Sequence, residues 1–151
     1  MLCSYNSIMH KLTGGCHCGN IHVDMYLTRE PGTYTPRTCD CDYCRKHGAS
    51  YISDAHGSLL IRIADQRKHG KYRQGAELAE FLFCTACGVL VGVLYSRDAR
   101  LYAAMNANTI DARESFGGPQ TVSPKKLSGR GKTQRWQELW FCNVDIIKGE
   151  S

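Results

Sequence analysis

The sequence of 151 residues has no run of 18 apolar residues, which excludes an ordinary membrane-spanning helix. Its first residues, MLCSYNSIMHKL, lack the apolar stretch and cleavage site of a secretory signal, so we expect a cytoplasmic protein. The sequence also lacks internal repeats and any long segment with the 3.6-residue period of a helix. Its length suits a single domain over residues 1–151.

A complete phosphate-binding loop is missing as well. The segment SGRGKTQR contains the GKT sequence that ends this motif. However, Lys126 stands where the first glycine of the motif is required, five residues before Gly131. The region around this segment carries a run of basic residues without an acid. A solvated loop is the interpretation that we favour over a site for an anionic partner, and we do not expect nucleic-acid binding. The run consists of Lys125, Lys126, Arg130, Lys132 and Arg135.

Short apolar segments bounded by turns predict a mainly β (all-β) protein. In residues 20–27, apolar Ile21, Val23 and Met25 alternate with polar neighbours, which indicates a half-buried strand. Residues 39–50 suggest a tight loop that ends in a helical turn. Residues 1–12 are expected to be a lead-in, and residues 111–133, with few large apolar side chains, a long surface loop. Further strands are predicted at 58–64, 78–83, 89–96, 101–107 and, from their aromatic and β-branched residues, 135–147.

Cysteine is abundant for a cytoplasmic chain, with nine residues. Reducing compartments disfavour structural disulfides, so dense cysteine there points to metal binding or catalysis. Seven of the nine fall into three tight groups, which are Cys16-x-Cys18-Gly, Cys39-x-Cys41-x-x-Cys44 and Cys84-x-x-Cys87-Gly.

The first and third groups have the spacing of two halves of one closed metal site. Zinc prefers four ligands in a tetrahedron, at about 2.3 Å for sulfur. Two thiolates on a short turn supply two corners, and Gly19 and Gly88 allow the backbone to turn tightly beside them. Cys84 and Cys87 therefore need two partners, which Cys16 and Cys18 can supply.

The middle group offers three thiolates within six residues. A site with three protein ligands leaves a fourth position open, as catalytic zinc requires. Two other interpretations remain: a purely structural second site completed by Cys3, a histidine or an aspartate, and a redox dithiol at Cys84 and Cys87. The redox interpretation lacks the βαβ context of a thioredoxin-like motif.

At these residues the sequence resembles the glutathione-dependent formaldehyde-activating enzyme (GFA) family, which is itself similar to centromere protein V. The resemblance rests on GGCHCGNIHV, CDCDYCRKHGAS, YRQG, FLFCTACGVLVG and AAMNANTID, in this order. It implies a small, irregular zinc-binding fold of several short antiparallel sheets. It also implies a structural zinc held by Cys16, Cys18, Cys84 and Cys87, and a catalytic zinc held by Cys39, Cys41 and Cys44.

The activity that the resemblance implies is the joining of glutathione to formaldehyde, which is a carbon–sulfur lyase reaction when reversed. An open zinc position suits a thiol nucleophile that attacks a small aldehyde. Asp40 lies between two cysteines where the family often has histidine. We recognise no motif of the family beyond Asp111.

Basic residues flank the middle group, and two interpretations of them remain open. Arg37 and Arg45, with Lys46 and His47 nearby, either bind the carboxylates of glutathione or lower the pKa values of the thiols, or they are ordinary solvated charges. Trp136 and Trp140 either line a substrate cleft or pack in the core, and we expect core packing.

Two functional hypotheses follow. The first is a zinc-dependent lyase acting on a glutathione–aldehyde adduct. The second is a non-catalytic zinc module that binds a protein or nucleic acid through the basic segment. Zinc sites with four and three thiolates would lower the formal net charge from +5 to about +2, so the basic composition alone gives little support to the second.

Overall fold

A computed structural model describes residues 9–74 and 78–149. Within these two ranges the fold consists of eleven strands and two α-helices, together with several short 3-10 turns. The strands are β1 His10–Gly15, β2 Ile21–Leu27, β3 Arg37–Cys39, β4 Ser50–Ile52, β5 Ser58–Ile63, β6 His69–Tyr72, β7 Glu80–Cys84, β8 Leu90–Arg97, β9 Arg100–Asn106, β10 Gln120–Val122 and β11 Val144–Lys148. The helices are α1 Asp42–His47 and α2 Gly129–Leu139.

The strands form two sheets, so the expectation of a mainly β protein is confirmed. The first sheet has the order β1-β2-β5-β11, and the second has the order β10-β3-β4-β9-β8-β7-β6. Most neighbours are antiparallel, as expected. The pairs β3–β10 and β5–β11 are parallel, which was not expected. In each pair the two strands come from distant parts of the chain, so no local pattern predicts their pairing.

The main core lies between the two sheets. Alternating residues of β2, among them Val23 and Met25, are fully buried there, as the period-2 pattern predicted. Leu82 faces this core from the second sheet, whereas its neighbour Phe81 belongs to a smaller cluster on the opposite face. That smaller cluster includes Cys39, Cys44, Tyr51 and Trp140, so the middle cysteine group lies outside the main core.

The predicted loop at 111–133 is wrong in part, because it contains β10 and the beginning of α2. The strand predicted at 135–147 is likewise wrong over its first residues, which belong to α2. Ser128 begins this helix by accepting a hydrogen bond from the Gly131 backbone N–H at 3.1 Å. Trp136 then packs edge-on against Tyr95 of the second sheet, with ring centres 5.2 Å apart. Tertiary packing and the cap therefore stabilise a helix that has no apolar stripe of its own.

At the beginning of the chain, residues 10–12 of the expected lead-in belong to β1, where His10 pairs with Leu27. Residues 1–8 lie outside the described residues. In the two described ranges, no helix is long and apolar enough to cross a membrane.

Candidate metal centres and the cavity beside them

The first and third cysteine groups meet in the structure. The sulfur atoms of Cys16, Cys18, Cys84 and Cys87 all lie within 4.8 Å of one another. Cys16 and Cys18 follow β1 in the first sheet, whereas Cys84 ends β7 in the second. The group therefore connects the two sheets.

The spacing of these sulfur atoms fits a zinc tetrahedron. Zinc–sulfur bonds of about 2.3 Å place neighbouring sulfurs about 3.8 Å apart. The Cys16–Cys18 sulfur pair is separated by 3.7 Å, and the Cys18–Cys84 pair by 3.5 Å. Four soft donors at this spacing suit zinc better than a hard cation such as magnesium.

Local backbone geometry holds the two turns in shape. Gly19 and Gly88 follow their cysteine pairs with φ values of +86° and +79°, in the region where residues with a Cβ are strained. The Gly88 N–H donates to the Cys84 carbonyl at 2.8 Å, and the Ile21 N–H donates to the Cys16 sulfur at 3.2 Å. Backbone donors to sulfur stabilise the thiolate form that a metal needs.

Asn20 links the two turns through a third segment. Its side-chain oxygen accepts from the Asp65 N–H at 2.8 Å, and its amide group donates to the Lys68 carbonyl at 3.2 Å. The same Lys68 carbonyl accepts from the N–H of Thr85, beside Cys84, at 3.0 Å. The 3-10 turn at 66–68 thus fixes the position of one cysteine pair relative to the other.

The middle group is also assembled. The sulfur atoms of Cys39, Cys41 and Cys44 lie within 4.8 Å of one another. Cys39 ends β3, Cys41 is the N-cap of α1 and its sulfur accepts from the Cys44 N–H at 3.5 Å, and Cys44 lies in α1. Three soft donors on a strand end and a short helix form a ligand set with room for one more partner.

Tyr51 contacts this group in a way that the sequence did not reveal. Its hydroxyl lies 3.2 Å from the Cys44 sulfur, and its ring is buried. Because β3 and β4 pair with Arg37 opposite Tyr51, the two side chains share a face of the sheet with Cys39. No cysteine spacing predicts this contact, since it depends on strand register.

Both cysteine groups contain one thiol with a depressed pKa. A hydrogen bond from Cys44 lowers the pKa of Cys39 to about 6. Burial raises the pKa of Cys87, but hydrogen bonds from the backbone N–H groups of Cys18 and Val89 and from the Cys84 thiol outweigh it and bring the pKa to about 6. Each group therefore offers a thiolate near neutral pH, which favours metal capture. Hydrogen bonding to the Cys39 sulfur and burial raise the pKa of Cys44.

Asp40 does not join the three sulfurs. One of its carboxylate oxygens accepts from the Ser123 hydroxyl at 2.5 Å and lies 3.9 Å from the Lys125 ammonium group. Its backbone N–H donates to the Val122 carbonyl at 3.2 Å. Through these contacts Asp40 holds β10 and the segment after it against the cysteine loop.

A cavity of about 210 Å³ opens onto all three thiols of the middle group. Its walls come from segments that are far apart in the sequence, with β3 and β10 on one side and α2 on another. Apolar and aromatic side chains form much of the surface, among them Tyr51, Phe81, Val93, Trp136 and Trp140. The cations of the lining are Arg37, Lys125, Lys132 and Arg135.

Of the two residues predicted to bind substrate, one lines the cavity and the other does not. Arg37 lines the cavity, and its guanidinium donates to the Ser53 hydroxyl at 2.7 Å. Arg45 is exposed on α1 and does not line the cavity, so its contact with substrate stays a prediction without structural support. The basic segment that we interpreted as a solvated loop contributes Lys125, Lys132 and Arg135 instead. Trp140 is buried in the smaller cluster and Trp136 packs against it, as the core interpretation expected, and both also line the cavity.

Comparison with known proteins agrees with this architecture. The family model described as "Glutathione-dependent formaldehyde-activating enzyme" matches residues 11–126, which contain all three cysteine groups. A crystal structure of a Rhodobacter sphaeroides protein is similar in fold, with a TM-score of 0.53 and 21% sequence identity. That similarity covers 72% of this chain and 99% of the other. The chain therefore belongs to the glutathione-dependent formaldehyde-activating enzyme family.

Proposed function

We propose that this protein is a zinc-dependent carbon–sulfur lyase of the S-(hydroxymethyl)glutathione synthase type. It joins glutathione to formaldehyde or a related small aldehyde. The observation that carries the proposal is the cavity of about 210 Å³ that opens onto the three thiols of Cys39, Cys41 and Cys44. A purely structural metal site has no need of such a space.

In this proposal the two cysteine groups have different tasks. Cys16, Cys18, Cys84 and Cys87 hold a structural zinc that joins the two sheets. Cys39, Cys41 and Cys44 hold a second zinc. Bound there, zinc supplies electrostatic stabilisation of the substrate's thiolate and of negative charge developing on the aldehyde oxygen.

The bond changes of the reaction are simple. The glutathione thiol gives up its proton, its sulfur forms a bond to the carbonyl carbon, and the carbonyl π electrons move to oxygen, which takes up a proton. No oxidant or reductant is needed. The protein's side chains have to bind the thiol, orient it and limit access of water, and these tasks suit the apolar walls of the cavity.

Tyr51 has a positioning task in this scheme. When Cys44 is a thiolate, the Tyr51 hydroxyl is the donor in the 3.2 Å contact between them. Such outer-shell donors hold a ligand in one orientation and tune its charge. Gln74, which also lines the cavity, gives weaker support, because its amide nitrogen lies 4.0 Å from the Cys41 sulfur.

The test is formation of the adduct above the spontaneous background. Zinc-loaded protein is mixed with glutathione and ¹³C-formaldehyde, and exchange between free and adduct carbon is measured by NMR. We expect faster exchange with the wild type and background exchange with Cys41→Ser. Background exchange at saturating wild-type protein would contradict the proposal for this substrate and favour the non-catalytic module.

A further inference from the structure

Helix α2 lies outside the family match at 11–126, yet it forms a wall of the cavity. Lys132, Arg135 and Trp136 are spaced three and four residues apart, so they share one face of the helix. Arg130 lies on another face and is not part of the cavity lining. The helix thus presents two cations beside the three thiols.

A third cation of the cavity lining, Arg37, comes from the second sheet. Arg37 and Cys39 are two residues apart on β3, so strand alternation places both side chains on the cavity side. Arg37 is fixed in place, because the Ser53 hydroxyl that accepts its hydrogen bond itself donates to the Leu139 carbonyl at the end of α2, at 2.8 Å. The chain of contacts connects β3 to α2 across the cavity.

The charges of this wall are unbalanced within the described part of the chain. No Asp or Glu in residues 9–74 and 78–149 lines the cavity or lies within ion-pair distance of Arg37, Lys132 or Arg135. A bound anion would balance these cations, and guanidinium groups match the geometry of a carboxylate.

We propose that Arg37, Lys132 and Arg135 form a carboxylate-binding subsite, through which α2 selects thiol substrates that carry a carboxylate. The inference rests on the proposed function, since it assigns how the thiol substrate of that site is recognised. Glutathione carries two carboxylates and therefore meets this requirement. A thiol without a carboxylate leaves the three cations unpaired and binds more weakly.

The two tryptophans provide a direct readout. Trp136 and Trp140 are the only tryptophans in the sequence, and both line the cavity, so intrinsic fluorescence reports on this site without need of catalysis. Zinc-loaded protein is titrated with glutathione and with glutathione diethyl ester, which retains the thiol but has no carboxylate. We expect the ester to bind at least tenfold more weakly, with the difference shrinking as salt rises.

Variants separate recognition from structure. Arg135→Gln should weaken glutathione binding roughly tenfold or more and leave ester binding unchanged. Arg135→Lys keeps the charge and should retain part of the preference. Arg130→Gln removes one positive charge from the other face of the same helix and should bind glutathione as the wild type does.

Equal binding of glutathione and its ester by the wild type would overturn the inference. So would an Arg135→Gln variant that loses affinity for both ligands equally, because Arg135 would then not distinguish a thiol with a carboxylate from one without. The proposed function is tested separately by the exchange measurement. Carboxylate selectivity without faster adduct formation would reject the lyase and keep the subsite, whereas faster formation without selectivity would reject the subsite alone.

Discussion

The sulfur atoms of Cys18 and Cys84 lie 3.5 Å apart, although 66 positions separate the two residues along the chain. Cys18 follows a strand of the first sheet, and Cys84 ends a strand of the second. A metal bound by these residues and their neighbours would therefore close a long loop and hold the two sheets together. The stability of the fold should therefore depend more strongly on this four-cysteine group than on the middle group.

Asn20→Ala should loosen the four-cysteine group without removing a ligand. The side chain makes hydrogen bonds to the backbone of Asp65 and Lys68, and its loss leaves the Asp65 N–H without the amide oxygen that accepts its hydrogen bond. We expect a loss of about 1–3 kcal/mol in the free energy of unfolding and faster zinc release to a chelator. Urea unfolding and a dye-based zinc-release assay measure these effects, and an unchanged release rate would contradict the assigned role.

Glycine substitutions should rank by their surroundings. An alanine Cβ at Gly88 would have no atom within 4 Å, so Gly88→Ala should cost only the backbone strain of its φ of +79°, about 1–2 kcal/mol. At Gly14 the Cβ would lie 2.2 Å from the Thr109 carbonyl oxygen and 2.8 Å from the Ile110 Cα. Gly14→Ala should therefore destabilise the zinc-loaded protein clearly more in urea unfolding. The reverse order would contradict the close packing of β1 against Thr109 and Ile110.

Tyr51→Phe should weaken metal binding at the middle group. The substitution keeps the buried ring and removes the hydroxyl 3.2 Å from the Cys44 sulfur. Without this donor the thiolate of Cys44 is less stable, so we expect about tenfold lower zinc affinity there and unchanged affinity at the other group. Competition with a zinc dye resolves the two affinities. Equal affinities in Tyr51→Phe and wild type would show that the hydroxyl does not support the ligand.

Asp54→Asn should be most destabilising near neutral pH. Burial raises the pKa of Asp54, but hydrogen bonds from Thr28 and Tyr34 outweigh burial and lower the pKa below its usual value. The ionised carboxylate accepts from the Thr28 N–H at 2.9 Å, the Thr28 hydroxyl at 2.7 Å and the Tyr34 hydroxyl at 2.5 Å. Replacing it should cost about 1–3 kcal/mol at pH 7.

The pH dependence of this effect has a defined sign. Because the folded-state pKa of Asp54 lies below the unfolded value of about 3.9, its contribution is complete above that value and is lost as pH falls through the folded-state pKa. The difference in unfolding free energy between wild type and Asp54→Asn should therefore shrink in acid. A difference that grows with acidity would contradict the assignment of a stabilising carboxylate.

The cysteine groups could be predicted from the sequence because the spacing of two ligands on one short turn is a local property, which does not depend on the rest of the fold. Cys84 and Cys87 on one turn required two partners, and Cys16 and Cys18 supply them in space. The strand pattern of β2 was equally informative, since alternation along one buried strand is a local property.

Helix α2 could not be predicted in the same way. Its sequence contains two glycines and many polar residues, and its order depends on Ser128 as a cap and on contacts of Trp136 and Trp140 with the second sheet. Because α2 supplies cations and aromatic rings to the cavity, missing the helix also meant missing part of the candidate site.

The division of seven cysteines into a closed group and an open group is the central claim, and zinc stoichiometry tests it most directly. Native mass spectrometry of zinc-replete protein should count two zinc ions in the wild type and one in folded Cys41→Ser, because that variant keeps the four-cysteine group. The matched Cys87→Ser variant should lose its zinc from the group that joins the sheets and unfold at lower urea concentration. One zinc ion in the zinc-replete wild type, or loss of both ions from Cys41→Ser, would contradict the division.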